Sequence, residues 1–403
     1  MLETLDTIPW QQLQHAYGDA SEVPGWIRDL ASPNKEVRQQ ARSHLGSSVY
    51  HQGTVYSSTA SIVPFLCELL DEEQVAHKLW LLQLLTSIAH GSSYLDVHYR
   101  RPQERNTPEF QARLAEELKW VRQAKEAVSA GYPTYLNLLH ADQPRLRAMA
   151  AWTLSCCRSH ADEVIPTLKE RLKQEDKLSV RASMIMTLGR LMPAIKETHD
   201  YFMHLLKKQK KPVLTIAAAL AYALLAEEDT PRQVVRILLE SYEQPPEVKA
   251  KFATLPFTDV NMDATLSKAF CAIGFSVAPL VIPTLIKALP HCDALSSVVL
   301  VDNLLYLALE GRTLSKDTTI DDLSDTQKDV LTALVKNKHI WESANMLITV
   351  GHYFPPQHNL ELSLWNREDI VRFLKGKPVI SSDEEEIQRQ QPSDKEAVSK
   401  KSS

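Results

Sequence analysis

The sequence predicts an all-α protein, an α-solenoid (α-α superhelix) built from stacked HEAT-like pairs of helices. Three observations support this fold class. The 403-residue chain contains only 11 glycines, which favours long helices over glycine-rich sheets or phosphate-binding loops. A proline followed six positions later by a leucine recurs along the chain. Two of the four proline spacings are 40 and 33 residues, a period typical of helical repeat arrays.

The proline marker identifies the first helix of each pair, which we call helix A. Proline is tolerated in the first helical turn, where its missing N–H has no intrahelical partner. The leucine shares a face with the residues at positions +2 and +3, so each copy predicts an amphipathic helix. The five copies run from Pro24 to Leu30, Pro64 to Leu70, Pro133 to Leu139, Pro166 to Leu172 and Pro283 to Leu289.

An arginine marks the second helix of the pair, helix B. It is followed by a leucine at position +7, on the same helical stripe as position +3. The three copies are Arg38 with Leu45, Arg147 with Leu154, and Arg181 with Leu188. Asp142 and Asp176 stand five residues before their arginines, and we expect them to cap helix B. Pro33 occupies the equivalent position in the first copy.

These two markers resemble HEAT repeats, including the HEAT-like units related to phycobilin lyases. The resemblance extends over residues 20–375. The stretches HAYGDASEVP and HQGTVYSSTASIVPFL also resemble a bacterial group of HEAT-repeat proteins. The resemblance implies an armadillo-like fold, and no biochemical activity follows from it.

We expect residues 1–20 to form an N-terminal capping segment, residues 21–375 to form the repeats, and residues 376–403 to form a disordered polar tail. The repeats are expected to comprise about eight helical pairs. These pairs are predicted at about 21–48, 57–90, 109–157, 161–193, 198–226, 231–273, 277–311 and 322–351. Insertions are predicted near 91–108, 242–262 and 352–362.

Composition narrows the class of function. The net charge is −5, whereas proteins that bind nucleic acid are usually basic, so a nucleic-acid-binding function is disfavoured. Five cysteines without paired spacing predict buried thiols in a reducing cytoplasm. The histidines lack the spacing of metal motifs, and the chain shows neither a signal peptide nor an apolar run long enough for a membrane helix. We therefore expect a cytoplasmic protein without metal or cofactor.

Two segments beside the second helical pair form the candidate partner-binding edge. One is the turn 51–56, whose glycine permits a tight bend among polar side chains. The other is the insertion 91–108, where tyrosine and arginine stand together as at interface hot spots. The candidate residues are His51, Gln52, Thr54, Tyr56, His98, Tyr99, Arg100 and Arg101. The alternative interpretation is that His51 and Thr54 hold the turn and that the insertion is a solvated loop.

The leading functional hypothesis is a non-enzymatic scaffold that binds a protein partner through its concave face or an inter-repeat edge. The enzymatic alternative is a HEAT-fold DNA glycosylase, a family with a basic groove lined by tryptophans and an aspartate. Trp120 and Trp152 lie on successive predicted helices, but tryptophans in helices are more often core residues. A less favoured alternative is a tetrapyrrole lyase or chaperone, which rests on fold analogy alone.

Overall fold

The computed structural model describes residues 2–98, 105–355 and 364–377. These residues form helical pairs joined by short turns, and the predicted all-α solenoid class is confirmed. The chain divides into two compact units, Met1–Thr258 and Asp259–Ser403. Most of the predicted tail, residues 378–403, and most of the predicted insertion 352–362 lie outside the described residues.

Unit 1 contains the first five predicted pairs. Its helices begin with α1 (Val23–Asp29), α2 (Lys35–Ser48), α3 (Thr59–Asp71), α4 (Lys78–Ala89), α5 (Tyr94–His98) and α6 (Pro108–Ala130). They continue with α7 (Tyr132–Leu138), α8 (Pro144–Thr153), α9 (Ala161–Gln174) and α10 (Leu178–Leu191). The last four are α11 (Lys196–Lys208), α12 (Pro212–Ala226), α13 (Arg232–Glu240) and α14 (Pro246–Ala253). The long helix α6 precedes the pair α7 and α8 where the sequence predicted one pair.

Unit 2 contains the remaining described helices. They are α15 (Met262–Ile273), α16 (Ala278–Ala288), α17 (Ala294–Ala308), α18 (Asp325–Lys336), α19 (Ala344–Gly351) and α20 (Arg367–Leu374). Helix α17 is buried along much of its length, and Asn303 on it donates to Ser267 Oγ of α15 at 2.8 Å. The two helices are therefore joined by a buried polar contact as well as by apolar packing.

Two short antiparallel hairpins interrupt the helices near the N-terminus, where the sequence predicted a capping segment and a turn. Strands β1 (Gln14–His15) and β2 (Gly18–Asp19) form the first. Strands β3 (Tyr50–His51) and β4 (Thr54–Val55) form the second. Backbone hydrogen bonding continues from the first hairpin to the residues after the second, because Ser58 N donates to Gln14 O at 3.1 Å.

The arginines of helix B bind the backbone of the turn that joins helix A to helix B. In all three copies one Nη1 group donates to two carbonyl oxygens at 2.7–3.0 Å. The pairs are Arg38 with Ser32 and Pro33, Arg147 with Ala141 and Asp142, and Arg181 with Leu172 and Glu175. We call this contact the arginine clamp; it satisfies carbonyl groups that the end of a helix leaves without partners.

The predicted capping role of Asp142 and Asp176 is wrong. The N-cap residues of α8 and α10 are Gln143 and Lys177, and neither helix start receives a side-chain cap. Each aspartate lies one residue before the N-cap, whereas the capping bond is made by the N-cap side chain itself. The carboxylate of Asp176 instead lies 3.3 Å from Lys177 Nζ at the surface.

Glu175 supplies the buried carboxylate that joins two successive repeats. It accepts hydrogen bonds from Nε and Nη2 of Arg147, at 2.9 and 3.0 Å, and from Nη2 of Arg171 at 3.2 Å. The backbone N–H groups of Asp176 and Lys177 donate to Oε1, the oxygen that also accepts from Arg147 Nη2, at 3.1 and 3.0 Å. Burial raises the pKa of Glu175, but the hydrogen bonds from Arg147 and Lys177 N–H outweigh it and leave the pKa lowered.

Close packing joins successive B helices in unit 1. Leu154 and Leu188, predicted to occupy equivalent buried positions, are both fully buried. Helices α10 and α12 approach so closely at Gly189 that an added Cβ would lie 2.7 Å from Ala221 Cβ. The hydroxyl of Thr187 donates to Ala151 O at 2.6 Å, which links α10 to α8. The second helices therefore form a continuous layer through this part of the chain.

Candidate functional site

The hairpin β3–β4 has a turn that only a permissive backbone can form. Gln52 and Gly53 have φ values of 49° and 88°, in the left-handed region. Thr54 is fully buried; its hydroxyl donates to His51 O at 2.7 Å and lies 2.9 Å from the hydroxyl of Tyr56. Thr54 thus holds the turn from inside, as the alternative interpretation of this segment expected.

The hairpin also pairs with the first residues of the insertion that follows α4. Val55 N donates to Ser92 O at 3.1 Å, and Ser92 N donates to Gly53 O at 2.9 Å. Gly91 permits this approach, since a Cβ there would lie 2.4 Å from Val55 Cγ1. The turn 51–56 and the start of the insertion are therefore neighbours at one edge of unit 1.

Helix α6 positions the short helix α5 beside this hairpin. Glu117 of α6 accepts hydrogen bonds from Ser93 Oγ at 2.7 Å and from Leu95 N at 2.9 Å. These two bonds fix the first turn of α5 and with it the backbone of Tyr94, which is 48% exposed. His98 is the last residue of α5, while the candidate residues Tyr99, Arg100 and Arg101 lie outside the described residues.

A cluster of aromatic and polar side chains results, which we call the tyrosine edge: Tyr17, His51, Gln52, Tyr56 and Tyr94. The hydroxyl of Tyr17 lies 3.3 Å from His51 Nδ1, with the ring centroids 5.3 Å apart. Tyr17 is 66% exposed. Burial raises the pKa of Tyr56, and the neighbouring Tyr94, Tyr17 and Glu117 raise it further, while the hydrogen bond with Thr54 lowers it. Tyr56 therefore remains a neutral hydrogen-bonding group at physiological pH.

Sequence reasoning found three members of this edge and missed Tyr17 and Tyr94. A signal for Tyr17 was present, because HAYGDA and HQGTVY both place histidine, tyrosine and glycine within six residues. Tyr94 carried no comparable signal, since its position depends on the contacts between Glu117 and the start of α5.

A second concave region lies on the helix-B face of unit 1. A cavity of about 550 Å³ is lined by residues of α4 and α8, by Ser179 of α10, and by the segment 253–258. Trp152 is 8% exposed, and its ring centroid lies 5.8 Å from that of Phe257. The lining includes one charged side chain, Arg145, and no carboxylate among the described residues. The predicted insertion 242–262 thus contains α14 and a segment that packs over α8.

The residues that the structure describes also bear on metal binding and on membrane spans. No group of three or more His, Cys, Asp or Glu side chains is placed to hold a metal ion there. In the same ranges no single helix is long and apolar enough to cross a membrane. One bent pair, Met262–Ile273 with Phe275–His291, meets that test jointly, by length and composition only.

Comparison with known proteins identifies the repeats. Residues 132–223 match the family model described as HEAT repeats. This part of the chain is similar to HEAT repeats. The match begins at α7, ends within α12, and includes the arginine clamps of Arg147 and Arg181. The predicted recognition of HEAT repeats from their proline and arginine markers is therefore confirmed.

One solved structure with a similar chain is the crystal structure of an engineered protein from a structural genomics consortium. It is 16% identical in sequence, with 82% of this chain and 79% of that chain covered, at a TM-score of 0.33. No curated protein matches the chain significantly.

Proposed function

We propose that this HEAT-repeat chain is a non-enzymatic scaffold that binds a protein partner at the tyrosine edge. The observation that carries the proposal is the exposure of Tyr17 and Tyr94, 66% and 48%, beside His51 and Gln52. HEAT repeats generally serve as surfaces for protein interaction. Tyrosine offers a large contact area with few rotatable bonds, so it loses little conformational entropy when a partner binds.

The rigid support of the tyrosine edge favours a role in partner binding over the alternative that these residues form a solvated loop. The hairpin is held by the Val55–Ser92 and Ser92–Gly53 backbone bonds, and α5 is held by Glu117. Side chains on such a support need little reorganisation when a partner docks, which preserves affinity. Tyr99, Arg100 and Arg101 follow α5 directly in sequence, and we include them in the proposed binding residues together with His98.

The helix-B face gives less support to the DNA glycosylase alternative. Its cavity is lined by one arginine and no carboxylate among the described residues, whereas that family uses a basic groove with an aspartate. Trp152 is covered by Phe257 and by the guanidinium of Arg190, so its ring is not open to stack on a base. No observation favours a tetrapyrrole lyase.

The state of the cysteines supports a reducing cytoplasm as the site of action. All five are free thiols. Burial raises the pKa of Cys67 and Cys156 to about 11 and that of Cys271 to about 12. A thiol with so high a pKa is poorly nucleophilic at neutral pH, which also argues against a catalytic cysteine at these positions.

The test is capture of a partner from native cell extract by the full chain and by matched variants. We expect Tyr17→Ala combined with Tyr94→Ala to lose the partner that the wild-type chain captures. If each tyrosine contributes about 1 kcal/mol, the double variant binds about 30-fold more weakly. Ile195→Ala, which removes a 49% exposed apolar side chain elsewhere in unit 1, is the matched control.

A second variant extends the test to the insertion, with Tyr99, Arg100 and Arg101 all changed to alanine. We expect loss of capture with an unchanged melting temperature, which is the result that separates a binding role of these side chains from a role in folding. Capture of the same partner at wild-type affinity by both the double and the triple variant would disprove binding at this edge.

A further inference from the structure

A cavity of about 420 Å³, lined by none of the residues of the tyrosine edge, lies where the ends of several helices of unit 1 meet. Its walls come from the C-terminal ends of α4, α6 and α10 and from the 3₁₀ turns between α8 and α9. Three cations line it, one from each of three different segments: Lys125, Arg158 and Arg190. Three positive side chains are thus brought to one small volume from distant parts of the sequence.

No acidic side chain in the part of the chain that the structure describes pairs with these cations. Among the described residues none of the three makes an ion pair within 4.0 Å. Glu126 lines the same cavity and Glu227 lines an adjoining one, yet both carboxylates stay beyond that distance. The cavity is therefore lined by three cationic side chains and one carboxylate, that of Glu126, which leaves an excess of two positive charges. An excess of unpaired positive charge in a concave site attracts anions.

Arg190 is held in a fixed orientation at the centre of the cluster. Its guanidinium carbon lies 5.3 Å from the ring centroid of Trp152, and Nη2 lies 3.4 Å from His90 Nε2. Arginine can only donate, so Nε2 of His90 accepts and Nδ1 carries the proton. Arg158 Nη2 in turn donates to the carbonyl oxygen of Arg190 at 3.0 Å. These contacts use a few of the guanidinium donors and leave the others for a ligand.

The electrostatics of the cluster agree with this geometry. Partial burial and then the nearby Arg190 cation lower the pKa of His90, with Lys125 adding to the effect. Burial lowers the pKa of Arg190, and Arg158 lowers it further, while Cys156 acts in the opposite direction. Neighbouring cations thus disfavour the charged forms of His90 and Arg190, and a bound anion would relieve that repulsion.

A buried hydroxyl without a partner provides an independent sign of a ligand. Ser155 lines the cavity, is 5% exposed, and its Oγ has no oxygen or nitrogen partner within the part of the chain that the structure describes, where the weakly bonding thiol of Cys156 is its neighbour. A buried hydroxyl that lacks a hydrogen bond costs free energy, which a ligand oxygen at this position would recover.

We propose that this cavity binds the phosphoryl group of a small phosphorylated molecule. Guanidinium groups bind phosphate oxygens in a bidentate manner, and Lys125 and Ser155 supply a point charge and a hydroxyl donor. The volume suits a small ligand, since ligand pockets are commonly about 300–1,000 Å³. Glu126 on the wall and the net charge of −5 oppose a long polyanion such as nucleic acid.

In the experiment, inorganic phosphate and then pyrophosphate are titrated into the full chain at constant ionic strength. Binding is measured by calorimetry and by NMR of labelled histidine. We expect saturable binding and an upward shift in the pKa of His90, because the anion offsets the adjacent cations. Lys125→Gln and Arg190→Gln should each weaken binding about tenfold or more. Arg236→Gln removes an exposed arginine elsewhere in unit 1 and should leave binding unchanged.

Lys125 is exposed and forms no ion pair among the described residues, so its variant tests binding even if Arg190→Gln fails to fold. Absence of saturable binding at about 10 mM phosphate and pyrophosphate would overturn the proposal. Wild-type affinity in Lys125→Gln would overturn it as well. Tighter binding of a single-stranded oligonucleotide than of pyrophosphate, lost in the same two variants, would assign the cavity to nucleic acid instead.

Discussion

Replacing Glu175 with alanine removes the carboxylate that joins α8 to the turn before α10. The side chain of Glu175 is 1% exposed and that of Arg147 is 11% exposed, so the ion pair between them is shielded from water. The substitution leaves four donors without their acceptor: two N–H groups of Arg147 and the backbone N–H groups of Asp176 and Lys177. Arg171, whose side chain is 19% exposed, can turn towards water.

The magnitude follows from these donors. A buried donor that loses its acceptor costs about 1–3 kcal/mol, and water entering the vacated space recovers part of that cost. Breaking a buried ion pair by removing one partner costs about 3–5 kcal/mol. We expect a loss of about 3–5 kcal/mol for Glu175→Ala. Glu170→Ala on α9, whose pair with Lys173 is exposed, should cost far less.

Urea unfolding at pH 7, with amide hydrogen exchange on peptides from residues 132–223, measures these differences. Arg147→Ala and the double variant complete a thermodynamic cycle, which should show a coupling free energy of about 0.5–3 kcal/mol between the two side chains. If Glu175→Ala cost no more than Glu170→Ala, or if the coupling were zero, the buried network would not stabilise the repeats and our reasoning would be refuted.

Two further predictions concern the same repeats. The pKa of Glu175 is lowered in the folded chain, so its ionisation stabilises the fold at pH values above its unfolded pKa, which is near 4.5. The difference in unfolding free energy between wild type and Glu175→Gln should therefore be constant at neutral pH and shrink as the pH falls below that pKa. An invariant difference down to about pH 3 would contradict the direction of the shift. Leu154→Ala and Leu188→Ala should each cost about 2–5 kcal/mol and should lower exchange protection in the neighbouring repeat, whereas unchanged thermal melts would show that these leucines do not support the repeat interface.

The helical-repeat fold could be predicted from the sequence because the residues that indicate it recur along the chain. In three copies the proline of helix A stands 14 or 15 residues before the arginine of helix B, and the helical stripe that follows each marker is local information. The predicted place of the proline was wrong in three of the five copies, because Pro64, Pro166 and Pro283 lie inside α3, α9 and α16 and not in the first turn. Glu175 could not be assigned in the same way. Its carboxylate accepts from backbone N–H groups before α10 and from Arg147 of the preceding repeat, 28 residues away in the sequence, so its role depends on a tertiary contact.

The candidate site was predictable only in part, for a physical reason. The turn 51–56 carries its own signal, since Gly53 with polar neighbours predicts a tight bend. Tyr17 and Tyr94 join that turn through tertiary contacts, namely the Tyr17–His51 pair and the bonds from Glu117 to α5. The cavity lined by Lys125 and its neighbours likewise gathers residues that are distant in sequence, and no motif spacing predicts it.

The arginine clamp has a consequence for how this chain can diversify. The acceptors are carbonyl oxygens, which every amino acid carries, so the clamp places no demand on the side chains of the turn that it holds. The first copy already shows this freedom, because Arg38 binds the carbonyl of Pro33 where the later copy has Asp142. Turns between helices A and B can therefore accept new side chains at positions that, unlike Glu175, hold no buried network, and binding residues grafted there would leave the repeat framework intact.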